Sequence, residues 1–251
     1  TFTIACALST LALPGRVWAQ GSEPQRASPA AVLENVVVTA QRIEQTANEV
    51  GMDIRVFTGE QLDQLRINSV ADLTAVVPSF TLTQSYQGVP AYTLRGIGFN
   101  AVNMSATSTV GVYLDEVAYP YPILNSGPIF DMQRVEVLQG PQGTLFGRNT
   151  TGGLINLVTN KPADKFEAML RGEAGNYDTY NTEGMVSGPL GDSFAGRLSL
   201  RTEDSNEGWQ KSNTRSEDLG EVHRYGLRAM LSFQPSERLD LTLSYNGWKI
   251  N

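Results

Sequence analysis

Three stretches in the last third of the chain alternate between apolar and polar residues: 194–201, 225–233 and 239–246. In the first stretch, Leu198 and Leu200 lie on one side and Arg197 on the other. A period of two is typical of a β-strand whose two faces meet different surroundings. Each stretch approaches the length of a tilted membrane-spanning strand, about 10 residues. A soluble sheet with one buried face alternates in the same way, so the connections must separate the two interpretations.

The connections between these stretches differ in length. Segments 189–192 and 235–237 contain proline together with small or acidic residues and predict tight turns, whereas 204–222 is long and polar. Short turns on one side of a sheet and long loops on the other are typical of an outer-membrane barrel. The pattern therefore favours transmembrane strands over a soluble sheet.

The region from 46 to 160 mixes shorter strand candidates with helix signals, which is typical of a globular α+β domain. The strand candidates are 52–57, 80–82, 92–96, 110–115, 134–138 and 153–159. A capping-box pattern at 58–61 opens one short helix, and a second begins at Ser69 and ends before Pro78. Residues 129–132 are expected to form a short helical turn. The prediction for this domain is a small mixed sheet with short helices.

Two weaker stretches, 166–174 and 180–188, bring the strands expected after residue 161 to about five, although Met169 interrupts the alternation of the first. A globular domain of the size of 46–160 has a radius of gyration of ~13 Å, so a barrel around it needs a perimeter on the order of 100 Å. Strands lie about 4.8 Å apart, and plugged barrels have about 22 of them. Residues 161–251 are therefore expected to form an incomplete antiparallel transmembrane β-barrel.

The first 19 residues have the features of a secretory signal peptide that lacks its start. An apolar core at 4–13 is followed by a Pro-Gly break and by small residues before the cleavage position at Ala19. Cys6 leaves a lipoprotein signal as the alternative, but the apolar run continues past it. Residues 20–45 predict a flexible tether. Within the tether, 36–39 favours an extended strand, either the first strand of the next domain or a strand offered to a partner's sheet.

The composition narrows the chemistry that the chain can perform. The chain of 251 residues has a net charge of −7 and no basic stripe, which argues against nucleic acid as the partner. With one cysteine (Cys6) and one histidine (His223), the sequence offers neither a Cys/His metal cluster nor a Cys/His catalytic pair. No other acid–base or nucleophile constellation is present, so neither a catalytic site nor a cofactor is expected.

The segment from Arg134 to Pro162 has the pattern of a strand, a glycine-dense turn and a second strand, directly before the alternating region. The glycines of its turn are Gly140, Gly143, Gly147, Gly152 and Gly153. No Gly-Lys-Ser/Thr ending follows, so the turn is not a phosphate-binding loop. Together with the segments 94–96 and 110–115, this ordered set resembles the TonB-dependent outer-membrane receptors. The resemblance implies a plug domain at 46–160 inside a barrel that begins at residue 161.

The resemblance also implies a role for the strand in the tether. That strand is similar to the family's TonB box, here formed by Glu34, Asn35, Val36, Val37, Val38, Thr39 and Ala40. The expected partner is TonB, part of the inner-membrane complex that transduces energy. TonB would pair with this strand through main-chain hydrogen bonds.

Charged residues of the plug are expected to lock it to the barrel. Many family members have an arginine directly before the Gly-Pro pair, but this chain has Gln139 there. The residues expected to lock the plug are Arg95, Arg134, Glu136 and Arg148. Since Arg134 and Glu136 alternate on one strand face, we expect them to meet polar residues of the barrel lumen.

Loops of the plug that face the outside are expected to touch the ligand through aromatic faces, hydroxyls and amides. The candidate ligand-binding residues are Tyr86, Tyr92, Asn100, Asn103, Tyr119, Tyr121 and Asn125. For each of them, an ordinary solvated loop residue is the alternative interpretation.

The resemblance implies active transport of a scarce nutrient across the outer membrane of a Gram-negative cell. The substrate most often carried by such receptors is a ferric siderophore complex. Vitamin B12, haem, and plant-derived carbohydrates or aromatic compounds are the alternatives. A passive outer-membrane binding protein is a further alternative, and an enzyme is not expected.

Overall fold

The computed structural model describes residues 37–38, 45–46, 51–84, 88–99, 107–208, 210–211 and 218–250. The strands of the first part are β1 (Val37–Val38), β2 (Gln45–Thr46), β3 (Ile54–Thr58), β4 (Phe80–Gln84), β5 (Pro90–Leu94), β6 (Ile97–Gly98), β7 (Val110–Leu114), β8 (Val117–Ala118), β9 (Met132–Gln139) and β10 (Gly153–Thr159). The helical segments are α1 (Gly59–Leu65), α2 (Gly143–Phe146) and two 3₁₀ helices, Val70–Ala75 and Pro122–Ser126. The strands of the last part are β11 (Glu167–Gly175), β12 (Thr179–Gly191), β13 (Phe194–Ser205), β14 (Gln210–Lys211), β15 (Asp218–Leu219), β16 (Val222–Ser236) and β17 (Leu239–Ile250). Among these residues, no helix is both long and apolar enough to cross a membrane.

Five strands of the described residues form what we call the mixed sheet, in the order β3–β9–β10–β7–β8. Strand β9 pairs antiparallel with β3 and β10, and β10 pairs parallel with β7. The central strands β9 and β10 are rich in valine, leucine and isoleucine, as expected of strands covered on both faces. The predicted small mixed sheet with short helices is confirmed.

The two faces of the mixed sheet carry separate apolar clusters. On one face, Val135 and Val137 of β9 are fully buried against α1, the first 3₁₀ helix and β5. Because successive residues of a strand point to opposite faces, Leu138 lies on the other side. That side carries a smaller group, the second cluster, whose buried members are Val38, Tyr113, Leu138, Phe146 and Leu154.

Side-chain caps fix the starts of both predicted helices. Thr58 Oγ1 accepts a hydrogen bond from the Gln61 amide (3.3 Å), and Gln61 Oε1 accepts one from the Thr58 amide (3.1 Å). This reciprocal pair is the capping box that the sequence predicts. At the 3₁₀ helix Val70–Ala75, the carboxylate of Asp72 accepts a hydrogen bond from the Ser69 amide (2.8 Å). Local sequence therefore sets where both segments begin.

The helical turn predicted at 129–132 is wrong. Met132 already belongs to β9, and Asp131 takes a left-handed backbone with φ of 50°. The carbonyls of Phe130 and Asp131 accept hydrogen bonds from Arg228 of β16, at 2.9 and 3.2 Å. Distant contacts thus replace the local hydrogen bonds that a helical turn would need. A 3₁₀ helix lies instead at Pro122–Ser126, which the sequence assigns to a loop.

The strands β11, β12, β13, β16 and β17 form an antiparallel sheet in chain order, which we call the meander. The two weaker candidates are both strands, since β11 and β12 pair from Glu167↔Ser187 to Gly175↔Thr179. Within the described residues, β11 and β17 each have a neighbour on one side, so the sheet is open. The predicted incomplete antiparallel sheet after residue 161 is confirmed.

The connections of the meander partly follow the predicted alternation. Turns at 192–193 and 237–238 lie at one end of the sheet, and the long connection 206–221 lies at the other. The connection at 176–178 also lies at that other end but is short. Tight turns are present as predicted but begin up to three residues later, because β12 continues to Gly191 and β16 to Ser236, and one of the two opposite connections is long as predicted.

The meander turns its apolar face outward and its polar face toward the mixed sheet. Outward residues such as Leu170 and Leu243 are 82% and 72% exposed, whereas the inward Ser199 and Arg228 are 0% and 3% exposed. A soluble sheet would bury the leucines and expose the arginines. This inverted burial matches the lipid-facing and lumen-facing sides of a membrane barrel.

Candidate functional site

Asp131 lies at the contact between the mixed sheet and the meander, directly before β9. Its carboxylate accepts two hydrogen bonds from Arg197 of β13, from Nη2 at 2.5 Å and from Nε at 2.7 Å. This two-pronged geometry makes the strongest class of charge-assisted hydrogen bond. The hydroxyl of Ser199 and the Asn160 amide, the latter at 2.9 Å, also donate to the same carboxylate. A fully satisfied, buried carboxylate therefore joins the two sheets.

The surroundings of Asp131 decide its protonation. Burial raises the pKa of this carboxyl, but hydrogen bonds from Arg197, Ser199 and Asn160 outweigh burial and hold the pKa below its ordinary value. The left-handed backbone of Asp131 is tolerated because the carboxylate, the amide and the carbonyl all have partners. The ionised form is thus the one that the contact selects.

A second set of ion pairs continues from Asp131 along the inner face of the meander. Glu183 Oε1 accepts a hydrogen bond from the Asp131 amide (3.1 Å), and Glu183 Oε2 accepts one from Arg201 Nη1 (2.6 Å). Arg201 Nε donates to Glu203 (2.7 Å), whose other oxygen meets Arg224 Nη1 at 3.4 Å. The inner face therefore carries alternating charges that are almost entirely paired with one another.

Phe130 supplies the apolar part of the contact. Its ring lies under the guanidinium of Arg228, 4.7 Å from Cζ to the ring centroid, a cation–π arrangement. The ring faces Gly226 of β16, where an added Cβ would come within 2.5 Å of Phe130 Cε1. The segment 127–131, which we call the docking loop, is therefore held by shape at Phe130 and by charge at Asp131.

An exposed ion pair connects the same two parts of the molecule at their rim. Arg171 Nη2 of β11 lies 2.6 Å from Asp63 Oδ2 of α1, and the two side chains are 36% and 48% exposed. Solvent screens such pairs, so this one contributes far less to docking than the buried pairs.

A cavity of about 230 Å³ lies between α1 and the inner face of the meander. Its lining combines Asp63, Asp131 and Glu183 with the guanidinium groups of Arg197 and Arg201. Arg201 Nη2 is buried and has no hydrogen-bond partner among the described residues. A polar cavity of this size has room for several waters, which would satisfy that group.

The residues predicted to lock the plug occupy other positions. Arg134 Nε pairs with Glu136 Oε1 at 2.7 Å, and the Asn156 amide donates to Glu136 Oε2 at 3.1 Å, all on one face of the mixed sheet. Arg95 and Arg148 are both exposed. Contacts of these four residues with barrel strands stay a prediction.

At the position where many family members have an arginine, the structure places a buried amide. Gln139 is 7% exposed, and its Oε1 accepts a hydrogen bond from the Ser79 hydroxyl at 2.8 Å. It therefore joins β9 to the segment before β4 rather than reaching toward the meander.

Sequence reasoning missed the residues that carry the docking contact. They are Asp131, Asn160, Glu183, Arg197, Ser199, Arg201 and Arg228. A signal was present in the chain, because the alternation of 194–201 places Arg197 and Arg201 on the polar side. A lone acidic residue between apolar neighbours, as at Asp131, is the complementary signal.

The predicted ligand-binding residues fall into three groups. Tyr86, Asn100 and Asn103 lie outside the described residues. Tyr92 lies in the core rather than on a loop, where it is 1% exposed, its ring stands 5.5 Å from that of Phe80, and burial raises the pKa of its hydroxyl. Its ring is therefore closed to a ligand in this structure.

The other three candidates cluster around the 3₁₀ helix Pro122–Ser126. Tyr121 is 43% exposed, Tyr119 is half-buried against the larger apolar cluster that contains Val135 and Val137, and Asn125 is 6% exposed. The Asn125 carbonyl accepts a weak hydrogen bond from the Tyr92 hydroxyl at 3.4 Å. Their contact with a ligand stays a prediction.

Strand β1 lies within the segment predicted to be the TonB box. Val37 pairs with Thr46 and Val38 with Gln45 in an antiparallel register. Val38 is completely buried in the second cluster. The remaining residues of the predicted box lie outside the described residues: Glu34, Asn35, Val36, Thr39 and Ala40.

A globular α+β domain docked on the polar face of strands whose apolar face points outward is the architecture of a plugged barrel. Residues 46–154 match the family model described as TonB-dependent Receptor Plug Domain. Residues 46–154 are therefore similar to the plug domain of the TonB-dependent receptors, and the resemblance seen in the sequence is confirmed.

Individual relatives agree with this assignment. The vitamin B12 transporter BtuB of Photobacterium profundum is 26% identical over 201 residues, which are 80% of this chain and 31% of the relative. The ferripyoverdine receptor of Pseudomonas aeruginosa is 29% identical over 175 residues, 62% of this chain and 19% of the relative. This chain thus spans less than a third of the curated relatives named here.

Among solved structures, the ferric yersiniabactin uptake receptor FyuA from Yersinia pestis superposes with a TM-score of 0.71 at 25% identity, covering 78% of this chain and 31% of that one. The pyoverdine outer membrane receptor FpvA from Pseudomonas aeruginosa gives 0.71 at 23% identity, covering 85% and 30%. The fold is therefore shared with receptors of this class.

Proposed function

We propose that this chain is the plug and the first wall strands of a receptor that imports a ferric siderophore across the outer membrane, powered by TonB. In this proposal residues 1–19 are a signal peptide, 20–45 a tether with the TonB box, 46–160 the plug, and 161–251 barrel strands. The observation that carries it is the inverted meander, whose polar face holds the plug while its apolar face points outward. Siderophore receptors among the relatives support the substrate class.

In this proposal, the energy for transport comes from the inner membrane. A plug held against the barrel strands by the buried Asp131–Arg197 pair would block passive flow, and the outer membrane has no ATP. TonB would deliver work by pairing a strand with β1 and pulling on it. The main-chain hydrogen bonds of such a pair share the load, so they resist the pulling force jointly. Ligand bound on the outer side would shift the equilibrium toward release of β1, which is a coupling free energy between two sites.

The substitution Val37→Pro tests the role of β1. Proline removes one backbone donor and restricts the chain, so it should abolish energised uptake while leaving ligand binding intact. Val37→Ala is the matched control, because it keeps the backbone donor and should retain most uptake. Unchanged uptake by Val37→Pro would instead indicate a passive outer-membrane binding protein.

Vitamin B12 is the second candidate substrate, because one of the relatives is a vitamin B12 transporter. Uptake of a radiolabelled ferric siderophore and of radiolabelled vitamin B12 should be compared in cells with and without the receptor. Receptor-dependent siderophore uptake, with expression induced by iron limitation, is the expected result. Receptor-dependent vitamin uptake would replace the siderophore proposal. Expression that does not respond to iron would favour a carbon source, such as a carbohydrate or an aromatic compound, as the substrate.

A further inference from the structure

Phe146 is fixed from two sides at the end of α2, within the glycine-dense turn. Its ring meets that of Tyr113 edge-on, with 5.2 Å between centroids. The Tyr113 hydroxyl donates a hydrogen bond of 2.5 Å to the Phe146 carbonyl. Ring and backbone of Phe146 are therefore both anchored to β7, and the side chain is only 7% exposed.

The glycine-dense turn is shaped to bring α2 back over the mixed sheet. Gly153 has φ of 149°, and a Cβ at this position would lie 2.4 Å from the Leu138 carbonyl oxygen. A side chain would push the end of the turn away from β9. The Thr150 hydroxyl donates to the Gly147 carbonyl (2.8 Å) and closes the turn from within. The turn is thus a preformed support for Phe146.

Val38 of β1 shares the second cluster with Phe146. The other buried members of this cluster are Leu138 of β9, Leu154 of β10 and Tyr113 of β7. Strand β1 otherwise pairs with β2 over two residues, which is a short ladder. Among the described residues, burial of the Val38 side chain and this ladder are the contacts that hold β1 in place.

We propose that Phe146 holds strand β1 against the mixed sheet and so sets how readily β1 is surrendered to a strand-adding partner. Phe146 is a positioning residue in this scheme, and the glycine-dense turn is the support that holds its side chain in place. The idea rests on the proposed function for its meaning, but the support itself can be measured without transport. A large-to-small change at Phe146 removes apolar packing from the cluster that buries Val38, and this should weaken the hold on β1.

The test uses Phe146→Ala in the receptor expressed from its native locus and purified without ligand. Amide hydrogen exchange in the peptide covering 35–47 should become several-fold faster, and the purified periplasmic domain of TonB should bind several-fold more tightly. Leu145→Ala is the matched control, since Leu145 lies on the same short helix but is 39% exposed. Tyr113→Phe should give a smaller change in the same direction, because it removes only the hydrogen bond to the Phe146 carbonyl.

Hydrogen exchange in the peptide covering β9 distinguishes local loosening of β1 from a general loss of stability of the domain. The proposal requires faster exchange at 35–47 with little change at 132–139. It is overturned if Phe146→Ala leaves 35–47 unchanged, if both peptides accelerate equally, or if Leu145→Ala has the same effect. Failure of Val37→Pro to stop uptake would remove the transport proposal while leaving the exchange result standing.

Discussion

The plug is held at two places by different kinds of contact. Against the meander, the buried Asp131 carboxylate pairs with Arg197, and the Asp131 amide donates a hydrogen bond to Glu183. At β1, the contacts seen in the described part of the chain are the buried side chain of Val38 and a two-residue ladder with β2. Removing one partner of a buried ion pair strongly destabilises the folded state, because it leaves an uncompensated charge. The stabilisation from a small apolar contact instead falls in proportion to the apolar area lost. The described residues thus combine a directed ionic attachment to the meander with a small apolar attachment at β1.

The largest effect is expected from removing the carboxylate at the fixed attachment. Asp131→Ala removes the two-pronged carboxylate partner of buried Arg197 and leaves only Glu167 at 3.8 Å and the Lys161 carbonyl at 3.4 Å, which should cost about 3–5 kcal/mol of docking stability. The measurement is hydrogen-exchange protection of the 127–139 peptide in the detergent-solubilised receptor. Pairing the change with Arg197→Met should restore much of the protection, because the unpaired charge is gone. Full protection in the single variant would show that the ion pair does not dock the plug.

A smaller loss is expected when the shape of the wall changes instead of its charge. Gly226→Ala adds a methyl group against the ring of Phe130, and overpacking of this kind costs about 1–3 kcal/mol. The same exchange measurement should show reduced protection of the docking loop. Phe130→Leu in the Gly226→Ala background should relieve part of the clash. An additive loss in the double variant would rule out direct contact as the cause.

A smaller effect than that of either substitution is expected when acid protonates Asp131 and loosens the docking contact. The folded-state pKa of Asp131 is depressed, so its contribution is present above the ordinary aspartate pKa of about 3.9 and is lost as the pH falls through the folded value. Protonated Asp131 still accepts hydrogen bonds, so the loss should be partial. Docking-loop protection should hold from pH 7 to about 4 and fall below it. Asp131→Asn should flatten this profile, and an unchanged profile in that variant would assign the acid effect to other groups.

The smallest effect is expected at the exposed rim pair. Asp63→Ala removes the partner of Arg171, but both side chains are partly solvated, so the cost should stay below about 1 kcal/mol. Protection of the docking loop should be nearly unchanged, and added salt should erase any difference. A loss as large as that of Asp131→Ala would contradict the ranking of buried over exposed pairs.

The regular parts of the fold were readable from the sequence because each depends on local periodicity. Strand β10 has the bounds predicted from its apolar run, 153–159. The alternation of Leu198 with Arg197 correctly separated the two faces of the meander, since a strand has a fixed period of two. The capping box at Thr58 likewise depends on residues three apart.

The docking contact could not be read in this way, because its partners are far apart in the chain. Asp131 and Arg197 are 66 positions apart, and no local pattern links them. The helical turn at 129–132 failed for the same reason, since Arg228 claims the carbonyls that a turn would use. The predicted locking residues Arg134 and Glu136 were sensible charges on one face, but nearby Asn156 also binds Glu136 within that sheet.

The crowded carboxylate of Asp131 constrains how receptors of this kind can diverge. Donors from β13 and from the residue after β10 converge on one group, so a lineage that replaces Asp131 alone leaves Arg197 without its main partner. A change at only one of the two positions leaves a buried charge poorly compensated. Positions 131 and 197 should therefore change together across relatives, while the outward leucines drift independently.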